Sequence, residues 1–121
     1  MRRIGGCLVV LSSVVACGVV LSNRVLLDGI SGSLLAWGMG EDTVYSPKYS
    51  DRGFRAVSPS MSEEEVRALL GEPMDIKELS TGSGVGWSFS RSASKNNYRI
   101  RTIRFGSDGR VFAKTADFWM D

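Results

Sequence analysis

Residues 60–73, Ser-Met-Ser-Glu-Glu-Glu-Val-Arg-Ala-Leu-Leu-Gly-Glu-Pro, hold a helix start, a short apolar face and a helix stop within fourteen residues. Ser62 reads as an N-cap, and Glu65 three positions on completes a capping box in which each side chain satisfies a backbone N–H of the other. The helix therefore starts at Glu63. Met61 before the cap and Val66 in the second turn form a hydrophobic staple. Glu63, Glu64 and Glu65 all sit where the positive end of the helix dipole favours carboxylates. Val66, Leu69 and Leu70 share one face by i, i+3, i+4 spacing. Gly71 supplies a left-handed closing residue, and Pro73 prevents continuation. A helix of about eight residues does not hold alone in water, so this one must be pinned against a partner.

The chain downstream supplies a sheet as that partner. Residues 86–92 (GWSFSRS) alternate Trp87, Phe89 and Arg91 with serines, 97–106 (NYRIRTIRFG) are rich in strand formers, and 109–119 (GRVFAKTADFW) give a third run. Ser107-Asp108-Gly109 marks a hairpin turn between the last two. Tyr98 and Ile100 have one parity and Ile103 and Phe105 the other, so an apolar-inward reading requires a bulge near Thr102. Residues 74–79 read as irregular and 80–86 (STGSGVG) as a flexible loop. The expected fold is α+β, a short helix packed on a three-stranded antiparallel sheet, preceded by an N-terminal membrane anchor or signal segment.

Upstream, residues 41–57 read as extended chain broken by Pro47 and Gly53, with a short helical turn at about Asp51 to Ala56. Residues 22–40 carry Gly29, Gly32, Gly38 and Gly40 among apolar side chains and read as a tether, or as a membrane-hugging stretch with Trp37 at the interface. The soluble domain is expected to begin near Glu41. Residues 4–21 carry no charge and follow Arg2 and Arg3. As a helix this block is about 27 Å long, close to the hydrocarbon thickness of a bilayer. Alternatively, Val14-Val15-Ala16-Cys17 resembles a lipobox, with Cys17 the lipid attachment site. The expected division is 1–21 signal or anchor, 22–40 tether and 41–121 extracytoplasmic domain, with the chain in the cell envelope.

Composition excludes much chemistry. The 121 residues include no histidine and two cysteines, Cys7 and Cys17, both in the apolar block. Imidazole acid–base chemistry, cysteine nucleophiles and most zinc sites are thereby excluded from the exported part. It also lacks a disulfide pair, and must hold by packing alone. The glutamates of the helix start are accounted for by capping, Ser31, Ser83 and Ser90 have no base partner, and 81–86 lack the lysine of a phosphate loop. The chain is expected not to be an enzyme, with no cofactor and no metal.

Charge is divided along the chain. Residues 41–86 carry five basic and nine acidic groups, net −4, and 87–121 carry seven basic and three acidic groups, net +4. Arg99 and Arg101 share parity in one strand. With Arg91 and Lys114 on neighbouring strands they read either as a patch for an anionic partner, such as lipid head groups or an acidic protein surface, or as a solvated face paired with the glutamates. Nucleic acid is disfavoured by the export signal.

The helix motif Met61, Ser62, Glu65, Val66, Leu69, Leu70, Gly71 and Pro73, then an aromatic strand opening at Trp87, then Ile103-x-Phe105-Gly-x-Asp108-Gly-x-Val111, resembles the SmpA/OmlA (BamE-like) small outer-membrane lipoprotein family over residues 57–121. The resemblance implies a non-catalytic accessory role in an envelope complex, the β-barrel assembly machinery. The chain departs from the family pattern at Ser60, where glycine is usual, and across 41–57, where a first helix is usual, so the family's interaction residues on that helix are not carried over. A small inhibitor- or ligand-binding domain on a β-lactamase-inhibitor-like scaffold is the alternative.

Overall fold

The structure, a computed structural model, describes residues 4–120, with side chains at 15–18 and from 23 onward except at 81. The expected short helix forms over the span its caps dictate. It is the third helix, α3, Glu63–Leu70: Ser62 Oγ accepts from Glu65 N at 3.3 Å, and Glu65 Oε2 accepts from Ser62 N at 2.7 Å. Val66 and Leu70 are fully buried, whereas Leu69 is 37% exposed, so the inward face is narrower than expected. Gly71 closes the helix at φ 73°, its N–H donating to the Arg67 carbonyl at 2.8 Å. A side chain there would have to adopt the same left-handed backbone and would meet Lys48 Cβ at 2.7 Å.

What pins α3 is backbone as well as packing. Ser60 N donates to the Val111 carbonyl at 2.8 Å, and Val111 N donates to the Met61 carbonyl at 2.9 Å. The chain entering the helix is thereby fastened to the start of the last strand. The apolar face of α3 then closes over Trp87, Phe105, Ile103 and Val111, with Phe54, Val57 and Phe89 completing the core.

The α+β class and antiparallel pairing are as expected, but among the described residues the strands number six, in two sheets. Strands β1 (Thr43–Tyr45) and β4 (Ser90–Ser92) pair with each other, and β2 (Asp75–Glu78), β3 (Gly84–Ser88), β5 (Tyr98–Gly106) and β6 (Val111–Trp119) form a sheet in the order β2-β3-β5-β6. The segment expected to be irregular, 74–79, is therefore the edge strand β2. All four of its residues are exposed, so no inward face marked it in the sequence.

The expected single run 86–92 divides at Phe89. There the Ser90 hydroxyl donates to the Arg99 carbonyl at 2.6 Å and accepts from Arg101 N at 2.9 Å, and the backbone beyond it pairs with β1 instead. The hairpin forms at 106–110, with Gly106 N donating to the Arg110 carbonyl at 2.9 Å.

Strand β5 corrects the sequence reading most. Residues 99, 101, 103 and 105 are all buried in unbroken alternation, so no bulge exists at Thr102. The register shift falls between Arg104 and Phe105. The inward face is Arg99, Arg101, Ile103 and Phe105, and the pattern failed only because arginine was assigned outward.

Before the sheet, α2 (Asp51–Ala56) forms over the expected turn, capped by Ser50 Oγ accepting from Gly53 N at 3.0 Å. The expected tether is not one. Helix α1 runs Ile4–Met39 with a kink at Gly29, where φ is 73° and ψ 173°. Past residue 23 it lies against the protein: Asp28, Gly32 and Ala36, at i, i+4, i+8, are buried. A Cβ at Gly32 would stand 3.4 Å from the Phe118 Cβ on β6, so glycine at this position allows close helix–sheet contact. Helical residues upstream of Glu41, where the domain was expected to begin, thus pack against the sheet. The expected signal or anchor over 1–21 lies largely outside the described side chains. Among the described residues, no helix is long and apolar enough to cross a membrane.

Candidate functional site

The residues expected to form a basic surface do not form one. Arg99 and Arg101 are 3% and 0% exposed, because β5 turns them inward and α1 covers them. Two guanidinium groups in a low-dielectric interior require carboxylates with matched geometry. Asp28, on α1 just before the kink, supplies the first. Arg101 grips it with both terminal nitrogens, Nη1 to Oδ1 at 2.6 Å and Nη2 to Oδ2 at 2.9 Å, while Arg99 Nη1 also donates to Oδ2. Asp28 has no exposed side-chain surface.

Further donors of the two arginines are engaged as well. Arg99 Nε donates to Glu41 Oε1 at 2.9 Å and Oε2 at 3.0 Å. Arg101 Nε donates to the Tyr49 hydroxyl at 2.9 Å, and Tyr49 in turn donates to Asp51 Oδ1 at 2.7 Å. Burial pushes the Tyr49 phenol far above its usual range, and the bond to Asp51 pushes it further. Burial likewise raises Tyr45, stacked on Tyr49 with ring centroids 4.7 Å apart, to about 12. Burial works against the Arg101 charge, but Asp28, through its hydrogen bonds and its charge, together with Tyr49 and Tyr45, outweighs it and raises the Arg101 pKa above its ordinary value. Two guanidinium groups set against the carboxylates of Asp28, Glu41 and Asp51 make this cluster a cross-brace between α1, the 41–51 segment and β5.

The other two residues of the expected patch separate. Lys114 Nζ donates to the carbonyls of Phe54, Arg55 and Val57 at 3.1, 3.0 and 2.9 Å, closing the C-terminal end of α2. Burial lowers its pKa, with Arg55 adding repulsion. Arg91 is exposed on β4. Cys17 is free and exposed on α1.

Sequence reasoning passed over Asp28, Glu41, Asp51 and Tyr49. One signal was present: Asp28 is the only charged residue between Arg24 and Glu41, and it stands i, i+4, i+8 from the small residues Gly32 and Ala36. A lone carboxylate on a small-residue face calls for a buried cation.

Two surface features flank the brace. The outer face of α1 past the kink presents Ile30, Leu34 and Trp37, at i, i+4, i+7, and Leu26 lies just before the kink; all four are more than three-fifths exposed. Beside it, a cleft of about 320 Å³ lies between Arg24, Val25, Ser33, Ala36, Trp37, Glu41 and Arg99. Among the described residues, Arg24 Nε and Ser33 Oγ are buried there without a hydrogen-bond partner. Among the described residues, no group of three or more carboxylate, cysteine or histidine side chains is placed to hold a metal. Compared with protein-family models, curated proteins and solved structures, the chain matches none of them.

Proposed function

We propose that the chain is a non-catalytic, envelope-anchored interaction module whose globular part is mounted directly on its anchoring helix. The observation that carries this reading is the Asp28 brace. Arg99 and Arg101 fasten α1 to the sheet at Asp28, seven residues past the uncharged block 4–21, which supports a domain held close to that block. Such a mount suits a part that must be held at a fixed height and orientation relative to a membrane. The partner class we propose, an envelope protein complex such as the β-barrel assembly machinery, rests on the sequence resemblance of 57–121 to the SmpA/OmlA pattern alone.

Membrane fractionation with metabolic palmitate labelling tests the anchoring. The chain is expected in the membrane fraction, and Cys17→Ser separates two routes: loss of label with release gives a lipoprotein, retention without label gives an apolar helix anchor. Recovery of the wild type as an unlabelled soluble protein would contradict the reading. Affinity capture of the intact protein from membranes tests the partner, and the absence of barrel-assembly components from the captured material would remove that assignment.

A further inference from the structure

An uncovered apolar helix face beside a cleft holding two unpartnered polar atoms is an unusual pairing on one element. Ile30, Leu34 and Trp37 form a continuous exposed apolar stripe, with Trp37 88% exposed. The face lies on the helix that begins in the block Ile4–Leu21, which carries no charge and follows two arginines. Chain continuity therefore names the occupant. On the anchored reading, what receives that block would lie near this face, and an exposed tryptophan with a nearby arginine suits a bilayer interface.

The cleft adds a chemical specification. The Arg24 guanidinium has one carboxylate neighbour, Glu41, at 3.8 Å, and Glu41 already accepts from Arg99 Nε and from the Thr43 hydroxyl. Among the described residues, Arg24 Nε and Ser33 Oγ are closed to solvent and without a hydrogen-bond partner, while the Arg24 side chain as a whole is 39% exposed, in a cleft also lined by Val25, Ala36 and Trp37. A phosphodiester supplies acceptor oxygens in pairs, and its acyl chains continue onto the apolar face.

We propose that the outer face of α1 and the Arg24–Ser33 cleft form a phospholipid-binding surface, on which the second half of α1 lies in the head-group region while the cleft takes a lipid phosphate. This rests on the envelope-anchored reading above. Polar contact and apolar burial then act on the same lipid, and the Asp28 brace transmits that placement to the sheet.

The full-length chain is reconstituted into vesicles of phosphatidylethanolamine and phosphatidylglycerol, with or without brominated acyl chains, and tryptophan emission is compared with that of Trp37→Phe. Brominated lipid is expected to quench most of the Trp37-dependent emission. Retention of the protein in the vesicles with Trp37 unquenched would overturn the surface while leaving anchoring intact; failure of the vesicles to retain the protein would overturn both. In a second arm, dihexanoyl phosphatidylglycerol is titrated into detergent-solubilised protein. Arg24→Gln combined with Ser33→Ala is expected to weaken its binding about fivefold, the effect of one interfacial basic group. Unchanged binding in that variant, or inorganic phosphate binding as well as the lipid does, would contradict a lipid site in the cleft.

Discussion

The two ends of one strand face are built on different physics. On β5, Ile103 and Phe105 point into a core of Trp87, Val66 and Leu70, where apolar area removed from water supplies the stability. Four residues earlier on the same face, Arg99 and Arg101 point equally inward and are as deeply buried, but what they meet is carboxylate. The apolar end tolerates changes of shape, at a graded cost. The ionic end tolerates removal of the whole set far better than removal of one member, because a lone survivor is an uncompensated buried charge. A strand can thus keep one unbroken alternation while changing the kind of core it builds.

The contrast sets the expected order of mutational effects. Asp28→Ala strands two buried guanidinium groups and should destabilise the full chain by about 3–5 kcal/mol, read as a fall in urea midpoint of the detergent-solubilised protein. A change within experimental error would mean that water already reaches the brace. Leu70→Ala, at the apolar end, should cost about 2–5 kcal/mol, with the loss scaling with the cavity left behind. Ser62→Ala removes the N-cap acceptor and should cost about 0.5–2 kcal/mol. It is smaller because α3 is also held through the backbone bonds of Ser60 and Val111.

The smallest effect is electrostatic and exposed. Hydrogen bonds from Ser94, foremost, and from Ser92 hold the Asp42 carboxyl below its ordinary value of 3.8. A depressed folded-state value contributes stability above the unfolded value and loses it as pH falls through the folded one. Wild type should therefore exceed Asp42→Asn slightly at neutral pH, and the gap should narrow below pH 3.8. A gap independent of pH would assign the difference to the shape of the 92–94 loop and not to charge.

The same division explains what could be read from the residues. Helix α3 was legible to the residue, because its cap, staple and stop are local and each has its own side-chain chemistry. The turn at Asp51–Ala56 and the hairpin at Ser107-Asp108-Gly109 were legible for the same reason. The brace was not, since its members lie at 28, 41, 51, 99 and 101, and nothing local distinguishes an inward arginine from an outward one. Assigning Arg99 and Arg101 to solvent led to the expected bulge at Thr102 and the expected basic patch. Reading 22–40 as a tether had a related cause. Its glycines count against an isolated helix, but here Gly29 forms the kink and Gly32 permits contact with β6. Strand β2 escaped because an exposed edge strand carries no alternation, and β4 because the Ser90 hydroxyl, not a turn, moves the chain from one sheet to the other.

The central claim is that α1 belongs to the domain because Asp28 is paired with both Arg99 and Arg101. A thermodynamic cycle on the full chain isolates that coupling: wild type, Asp28→Leu, Arg99→Met with Arg101→Met, and all three substitutions together, each measured by chemical denaturation. The brace predicts that Asp28→Leu is strongly destabilising in the wild-type background and close to neutral, or stabilising, once both arginines are methionine. An equal loss in the two backgrounds would show that Asp28 acts independently of the arginines, and would contradict the account.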